Sequence, residues 1–265
     1  VFIDNDNQAY IYWCGGGMFA AKLKDNMYEL ASDPIRIEGL PEGFKEGPFL
    51  FERNGKYYYT FPWVQDKTEN LAYAMGDSPM GPFEFKGLIM EQWPSECWTN
   101  HHSIVAYKDQ WYLFYHHNDY SPEFDKNRSM RVDSLFFNPD GTIRQVTPTL
   151  RGVGLTDANH KIQLDRYSRI SENGVEIKYL DRFDKFKGWK TVLTKENAWT
   201  QYNSVDFGQQ KHSKLIIRIY AVQPTTLEVR TEGINGTLLS EVKIMGHYDW
   251  IVIDSPVKES IEGIQ

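Results

Sequence analysis

Three stretches in the first half of the chain share one pattern, in which a short apolar segment is followed by a polar turn and then by an aromatic segment. The paired segments are residues 2–3 and 9–13, residues 49–51 and 57–61, and residues 104–107 and 111–115. Short apolar and aromatic runs bounded by polar turns are typical of β-hairpins, and the Asn54-Gly55 dipeptide is a strong hairpin signal. The first half is therefore predicted to consist of β-hairpins.

The three hairpins recur at intervals of about 50 residues, which is typical of the blades of a β-propeller. A weaker fourth pair, residues 132–138 and 139–143, is expected to close another sheet. A free-standing propeller has about four to eight blades, so part of the ring is expected to be absent from this chain. The alternative is a β-sandwich whose hairpins repeat by chance.

The second half has a different pattern, in which short apolar strands recur about every ten residues. These predicted strands are residues 205–207, 214–220, 226–230, 237–244 and 250–253. Such spacing favours a β-sandwich of about 100 residues. Residues 151–159 form a connector, so two all-β domains are predicted, residues 1–159 and 160–265.

Composition narrows the range of partners. Aromatic residues make up 15% of the chain, which suits surfaces that stack on flat ligands such as sugars or nucleobases. The net charge of −7 would repel phosphate backbones and therefore disfavours nucleic acid. No run approaches the roughly 18 to 20 apolar residues of a membrane helix. With only Cys14 and Cys97, a cysteine metal site is not expected, and one disulfide is left open.

The most informative motif is residues 45–59, in which Lys45-Glu46-Gly47-Pro48 precedes an apolar strand and the Asn54-Gly55 turn. With residues 100–105, 111–116, 127–129 and 133–143, it resembles glycoside hydrolase family 43 from residue 1 to about residue 155. The resemblance implies a five-bladed β-propeller, of which the N-terminal strands are missing here, and a hydrolytic activity.

The resemblance implies that Glu46 is the general acid. Inverting hydrolysis needs a protonated carboxylic acid at the leaving oxygen and a carboxylate that activates water on the opposite face. The alternative is a solvated turn carboxylate. The family's base and a third acid would both precede Val1, whereas Asp4 and Asp6 align with a hairpin turn and are expected to form it. The chain alone is therefore expected to be inactive.

Further residues are implied to contact the sugar. His101 matches a histidine at the propeller axis that helps to hold a metal ion or water, and the alternative is a hydrogen-bonded core histidine. Arg128 matches an arginine that contacts sugar hydroxyls, and the alternative is a surface arginine. Trp63 is a candidate stacking platform or a wall residue. Other aromatic residues at strand ends and in loops are Trp13, Trp93, Trp98 and His116.

Residues 161–168 and 198–208 resemble a family 6 carbohydrate-binding module, a jelly-roll β-sandwich whose final strand would lie beyond Gln265. Gln163 and Asp165 stand where the family has a calcium-binding Glu-x-Glu pair, so calcium is compatible with the sequence but is not required. Trp250 and Tyr248 lie near the family's stacking aromatic residue, or they fill the sandwich core.

The sequence thus predicts hydrolysis of glycosidic bonds in plant cell-wall polysaccharides by an inverting enzyme of the arabinofuranosidase or β-xylosidase type, with an appended sugar-binding module. The expected partner is a polysaccharide or oligosaccharide, with no nucleic acid and no membrane. The resemblance implies a secreted or periplasmic location. The alternative is a non-catalytic carbohydrate-binding protein.

Overall fold

The computed structural model describes residues 1–65, 68–92, 97, 98, 100–120, 124, 126, 128–259 and 261–265. The chain divides into two compact units, Val1–Val153 and Gly154–Gln265, so the division precedes the predicted boundary by a few residues. Helical structure in the described ranges is limited to the 3-10 turn Lys185–Lys187. No helix among these residues is long and apolar enough to span a membrane. The prediction of an all-β fold is confirmed.

The described residues of the first unit form three antiparallel sheets of four strands, and each predicted hairpin supplies the first two strands of one sheet. The first sheet is β1 Phe2–Ile3, β2 Ala9–Cys14, β3 Met18–Lys22 and β4 Ile35–Arg36. The second is β5 Phe49–Arg53, β6 Lys56–Val64, β7 Glu69–Gly76 and β8 Phe83–Met90. The third is β9 Ser103–Tyr107, β10 Gln110–His117, β11 Ser129–Phe137 and β12 Ile143–Arg144.

Residues 132–143 do not close another sheet but belong to the same sheet as the third hairpin, so that prediction was wrong. Strand β11 pairs with β10 in a register that runs from Trp111 opposite Leu135 to His117 opposite Ser129, and β12 pairs with β11. The physical reason is that β10 is a central strand whose second edge would otherwise leave backbone N–H and C=O groups unpaired. The fourth strand pair therefore completes the third sheet.

The second sheet is buried on both of its faces. Along β6, Tyr59 and Phe61 join the core shared with the first sheet, whereas Tyr58 joins the core shared with the third sheet. This division follows from the alternation of side chains along a strand. Sheets packed face to face in succession are typical of propeller blades, and a five-bladed ring stays a prediction.

Asp4 and Asp6 form the β1–β2 turn, as predicted. The Asp4 Oδ1 atom accepts the backbone N–H of Asn5 at 2.8 Å, and Asp6 Oδ1 accepts that of Gln8 at 2.9 Å. Asp4 also accepts the Tyr57 hydroxyl at 2.7 Å, and this hydrogen bond raises the pKa of Tyr57 to about 12. The turn is thereby joined to the second sheet.

The second unit consists of strands that pair two by two. Its strands are β13 Thr156–Asp157, β14 Arg169–Ile170, β15 Val175–Tyr179, β16 Trp189–Leu193, β17 Thr200–Gln201, β18 Val205–Asp206, β19 Lys214–Ile219, β20 Thr225–Arg230, β21 Leu238–Ile244 and β22 Ile251–Pro256. The pairs are β13 with β18, β14 with β17, β15 with β16, β19 with β22 and β20 with β21. Residues 263–265 also hydrogen-bond to residues 205–208. A jelly-roll order stays a prediction.

Candidate functional site

The loop that carries Glu46 is tied to two neighbouring strands by its backbone. The Trp63 indole N–H donates to the Glu42 carbonyl at 2.7 Å, and the Val64 backbone N–H donates to the Gly43 carbonyl. On the other side, the Cys14 thiol donates to the Lys45 carbonyl. Glu46 therefore stands on a fixed turn, although its own carboxylate is half exposed. Cys14 and Cys97 are not bonded to each other, so the disulfide that the sequence left open does not form.

The structure brings Glu46 and His101 together. The Glu46 Oε1 atom lies 3.5 Å from His101 Nε2, and the two side chains are 54% and 48% exposed. Gly47 allows this approach because its φ is 67° and a Cβ at this position would lie 3.0 Å from His101 Nε2. The Glu-Gly dipeptide therefore places an accessible carboxylate against an imidazole.

We expect Gly47→Ala to lower both stability and turnover in an active protein that contains this chain. A side chain at a left-handed φ costs about 1–2 kcal/mol, and the new methyl group would push His101 away from Glu46. Misplacement by about 1 Å can reduce turnover by up to about 100-fold. Urea denaturation and initial rates measure the two effects.

Gly55→Ala is the matched control for that variant. Gly55 has a similar φ of 76°, but a Cβ there would meet no atom within 4 Å. The control should lose similar stability and keep its turnover. Equal loss of turnover in both variants would show that the contact between Gly47 and His101 has no role.

Two side chains hold the backbone on which His101 stands. The Glu69 Oε2 atom accepts the Asn100 N–H at 2.5 Å, and His116 Nε2 accepts the His101 N–H at 3.1 Å. Asn100 and His116 are buried, so these hydrogen bonds are shielded from water. The backbone from Asn100 to His101 is therefore fixed by the second and third sheets.

His102 points away from Glu46 and into the protein. Its Nε2 atom lies 2.6 Å from Thr60 Oγ1, which donates its hydrogen to the Phe49 carbonyl at 2.9 Å. Thr60 therefore accepts from His102, and Nε2 carries the proton. Burial lowers the pKa of His102 to about 3, so its ring is neutral near pH 7. His102 is a structural anchor of the site.

Glu69 is a second carboxyl group at this site, and sequence reasoning missed it. Its side chain is buried, and burial raises its pKa against the opposing effects of the Asn100 N–H and of His101. The negative charge of Glu46 raises the pKa further. The available signal was an acidic residue at the start of β7, directly before a run of buried residues.

The other candidates in the first unit have different surroundings. Trp63 is half-buried and packs edge-on against Phe85, with ring centroids 5.0 Å apart. Arg128 is exposed, and its Nη1 donates to the Lys126 carbonyl at 3.4 Å. Sugar contacts by Trp63 and Arg128 stay predictions. Trp93 and the motif residue Asn127 lie outside the described residues.

A buried polar cluster at the end of β10 was also missed. The Arg131 Nε atom donates to His117 Nε2 at 2.7 Å, and the Asp119 backbone N–H donates to His117 Nδ1 at 3.3 Å, beside the Asp119 carboxylate. Burial lowers the pKa of His117 and outweighs the effect of Asp119. The Arg131 guanidinium also lies 4.6 Å from the centroid of the Tyr120 ring. This cluster joins the end of β10 to β11 through Arg131 and to the adjacent residues Asp119 and Tyr120.

The candidate calcium residues of the second unit differ in exposure. Gln163 is exposed, whereas Asp165 is buried near Tyr202. Burial, with a smaller contribution from Asp165, raises the pKa of Tyr202 to about 12. Within the described ranges, no group of three His, Cys, Asp or Glu residues could hold a metal ion. Calcium takes six to eight oxygen ligands, so this pair alone is an incomplete site and carries no mechanistic step.

Trp250 and Tyr248 both reach the surface of the second unit. The Trp250 ring lies 6.0 Å from that of Tyr220, and the Arg218 guanidinium carbon lies 5.1 Å from its centroid. Tyr248 is strongly exposed. Neither side chain fills the core of the sandwich, which was one of their two predicted roles. The other role, stacking on a sugar, stays a prediction.

Comparison with known proteins gives a family match. The sequence model described as "Glycosyl hydrolases family 43" matches residues 1–143. A β-xylosidase from Xylanibacter ruminicola is 34% identical over 188 residues, covering 55% of this chain and 56% of the relative. The chain thus spans little more than half the length of that relative.

Two solved structures extend the comparison. A family 43 subfamily 1 enzyme from Xanthomonas citri, complexed with xylotriose, is 29% identical with a TM-score of 0.50, over 56% of this chain and 55% of that chain. An arabinoxylan arabinofuranohydrolase from Bacillus subtilis, complexed with cellotetraose, is 20% identical with a TM-score of 0.51. The latter match covers 100% of this chain and 61% of that chain, and it indicates a shared fold alone.

Proposed function

Since its family match covers residues 1–143 of 265, the chain belongs to glycosyl hydrolase family 43, and we propose that it is part of an enzyme that cleaves plant cell-wall polysaccharides. The proposed activity is of the arabinofuranosidase or β-xylosidase type, with inversion at the anomeric carbon. The observation that carries the proposal is the accessible Glu46 carboxylate, held 3.5 Å from His101 on a fixed turn. The relative named β-xylosidase supports the substrate class.

In the proposed mechanism, Glu46 gives its proton to the departing glycosidic oxygen. His101 orients the Glu46 carboxyl, and the buried hydrogen bonds at Asn100 and His101 keep the imidazole in place. Arg128 is proposed to position sugar hydroxyls. Inversion also requires a carboxylate that activates water, and this proposal assigns that role to no described residue.

The second unit is proposed to be a family 6-like carbohydrate-binding domain, with residues 1–159 forming the hydrolase part and residues 160–265 the binding part. Its exposed aromatic residues Trp250 and Tyr248 support this proposal, because aromatic rings offer flat apolar faces to sugars. The similarity of fold to the arabinofuranohydrolase structure also extends over the whole chain.

The experiment is to incubate an active protein that contains this chain with arabinoxylan and with xylo-oligosaccharides, and to record proton NMR spectra during the first turnovers. We expect release of arabinose or xylose whose first-formed anomer has the opposite configuration to the cleaved bond. Cello-oligosaccharides serve as the control substrate. Release of the retained anomer would contradict inversion, and absence of pentose release would contradict the proposed activity.

A further inference from the structure

A groove of about 710 Å³ opens on the surface of the second unit. Strands β15, β16 and β19, the segment after β15 and the residue before β22 contribute to its wall. Three of its lining residues are aromatic, namely Tyr179, Phe183 and Trp250. Phe183 is 84% exposed and Trp250 is 38% exposed, so aromatic faces are available to a ligand.

Positive charge is concentrated in this groove. Its lining contains five cationic side chains and the single carboxylate Asp181, in a chain whose net charge is −7. Lys187 pairs with Asp181 at 2.8 Å, and Lys178 pairs with Glu176. In the part of the chain that the structure describes, the other three cations, Arg182, Lys190 and Arg218, form no ion pair with a carboxylate. The groove therefore offers cations that an acidic ligand can neutralise.

The guanidinium groups lie beside the aromatic faces. The Arg182 guanidinium carbon is 4.4 Å from the Phe183 ring centroid, and that of Arg218 is 5.1 Å from the Trp250 centroid. A guanidinium donates two parallel hydrogen bonds to a carboxylate, whereas an aromatic ring supplies apolar contact area. A ligand that binds both the guanidinium group and the aromatic face has a ring with apolar faces and a carboxylate at its edge.

We propose that this groove binds uronic acid residues of an acidic cell-wall polysaccharide. A uronic acid combines a sugar ring, which can lie on Trp250 or Phe183, with a carboxylate that can pair with Arg182, Lys190 or Arg218. The negative charge of the whole chain opposes binding of a nucleic acid strand, whose phosphates would also meet the acidic surface outside the groove. The proposal rests on the proposed sugar binding by the second unit and not on hydrolysis.

The test is calorimetric titration of the 265-residue chain, in its Glu46→Gln form to prevent turnover, with two matched oligosaccharides. One is xylotetraose carrying a single glucuronic acid, and the other is unsubstituted xylotetraose. We expect a dissociation constant about tenfold lower for the acidic ligand near 20 mM salt. That advantage should shrink at 0.5 M salt, because salt screens exposed charges over a few ångströms.

Two double variants test whether the preference for the acidic oligosaccharide arises in the groove. Arg182→Gln with Lys190→Gln should remove most of the preference for the acidic ligand and leave the affinity for xylotetraose unchanged. Lys161→Gln with Lys211→Gln makes the same change in net charge outside the groove lining and should keep the preference. Circular dichroism spectra and thermal midpoints establish that all variants are folded.

Several outcomes would overturn the proposal. If the chain with the unmodified groove binds the acidic and the neutral oligosaccharide with equal affinity, the groove does not recognise the carboxylate. This outcome contradicts the proposal even before the groove variants are measured. Loss of the preference in the control double variant, or equally tight binding of a single-stranded oligonucleotide, would indicate attraction by charge alone. Failure to bind either oligosaccharide would also contradict sugar binding by the second unit, whereas the NMR assay reports hydrolysis separately.

Discussion

Glu46→Gln is expected to lower turnover on arabinoxylan by about 100- to 10,000-fold in an active protein that contains this chain, with little change in KM. Glutamine preserves the shape of the side chain and its approach to His101, but it has no acidic proton for the departing oxygen. The loss therefore falls on the transition state rather than on substrate binding. Initial rates over a range of substrate concentrations separate the two parameters.

The leaving group provides a sharper version of this experiment. When a dinitrophenyl glycoside is cleaved, dinitrophenolate leaves as a stable anion and needs no proton. Glu46→Gln should therefore impair its hydrolysis far less than that of a xylo-oligosaccharide. Glu38→Gln is the control, because Glu38 is an exposed glutamate of the same segment between β4 and β5. Equal impairment on both substrates would rule out Glu46 as the general acid.

The hairpins of the first unit were predictable because their determinants are local. Each polar turn and its flanking apolar residues lie within about a dozen residues, so the pattern alone indicates the strand pair. The pairing that places β11 in the third sheet depends on residues that are further apart in the sequence. Residues 118–128 separate it from β10, and only its pairing with β10 shows which sheet it completes.

The candidate site was only partly predictable, for the same reason. Glu46 was identified because its motif surrounds it directly in the sequence. Glu69 lies 31 residues before Asn100, whose N–H it accepts, and nothing next to Glu69 indicates that partner. Similarly, the groove of the second unit combines Tyr179 on β15 with Arg218 on β19.

The predicted calcium site and the location outside the cytoplasm stay predictions.

Glu69→Ala is expected to reduce both stability and turnover. The variant leaves the buried N–H of Asn100 without an acceptor, which costs about 1–3 kcal/mol of the free energy of unfolding. The backbone that carries His101 would then be less constrained, and a shift of about 1 Å can lower turnover by up to about 100-fold. Urea denaturation and initial rates on xylo-oligosaccharides measure both losses.

Glu69→Gln separates the hydrogen bond from the charge. Its amide oxygen can still accept the Asn100 N–H, so we expect stability and turnover near those of the parent at low pH. A variant that loses as much as Glu69→Ala would mean that the acceptor geometry is unimportant and that the carboxyl itself is required.

The pH dependence of this pair follows from the raised pKa of Glu69. Because the folded protein holds the proton more tightly than the unfolded chain, the stabilisation is present below the ordinary pKa of 4.5 and is lost as pH rises through the folded value. The unfolding free energy of the parent should therefore fall relative to that of Glu69→Gln as pH rises above 4.5. Parallel curves from pH 4 to 8 would contradict a raised pKa. Divergent curves would show that burial, rather than the Asn100 N–H, dominates the ionisation of this carboxyl beside Glu46.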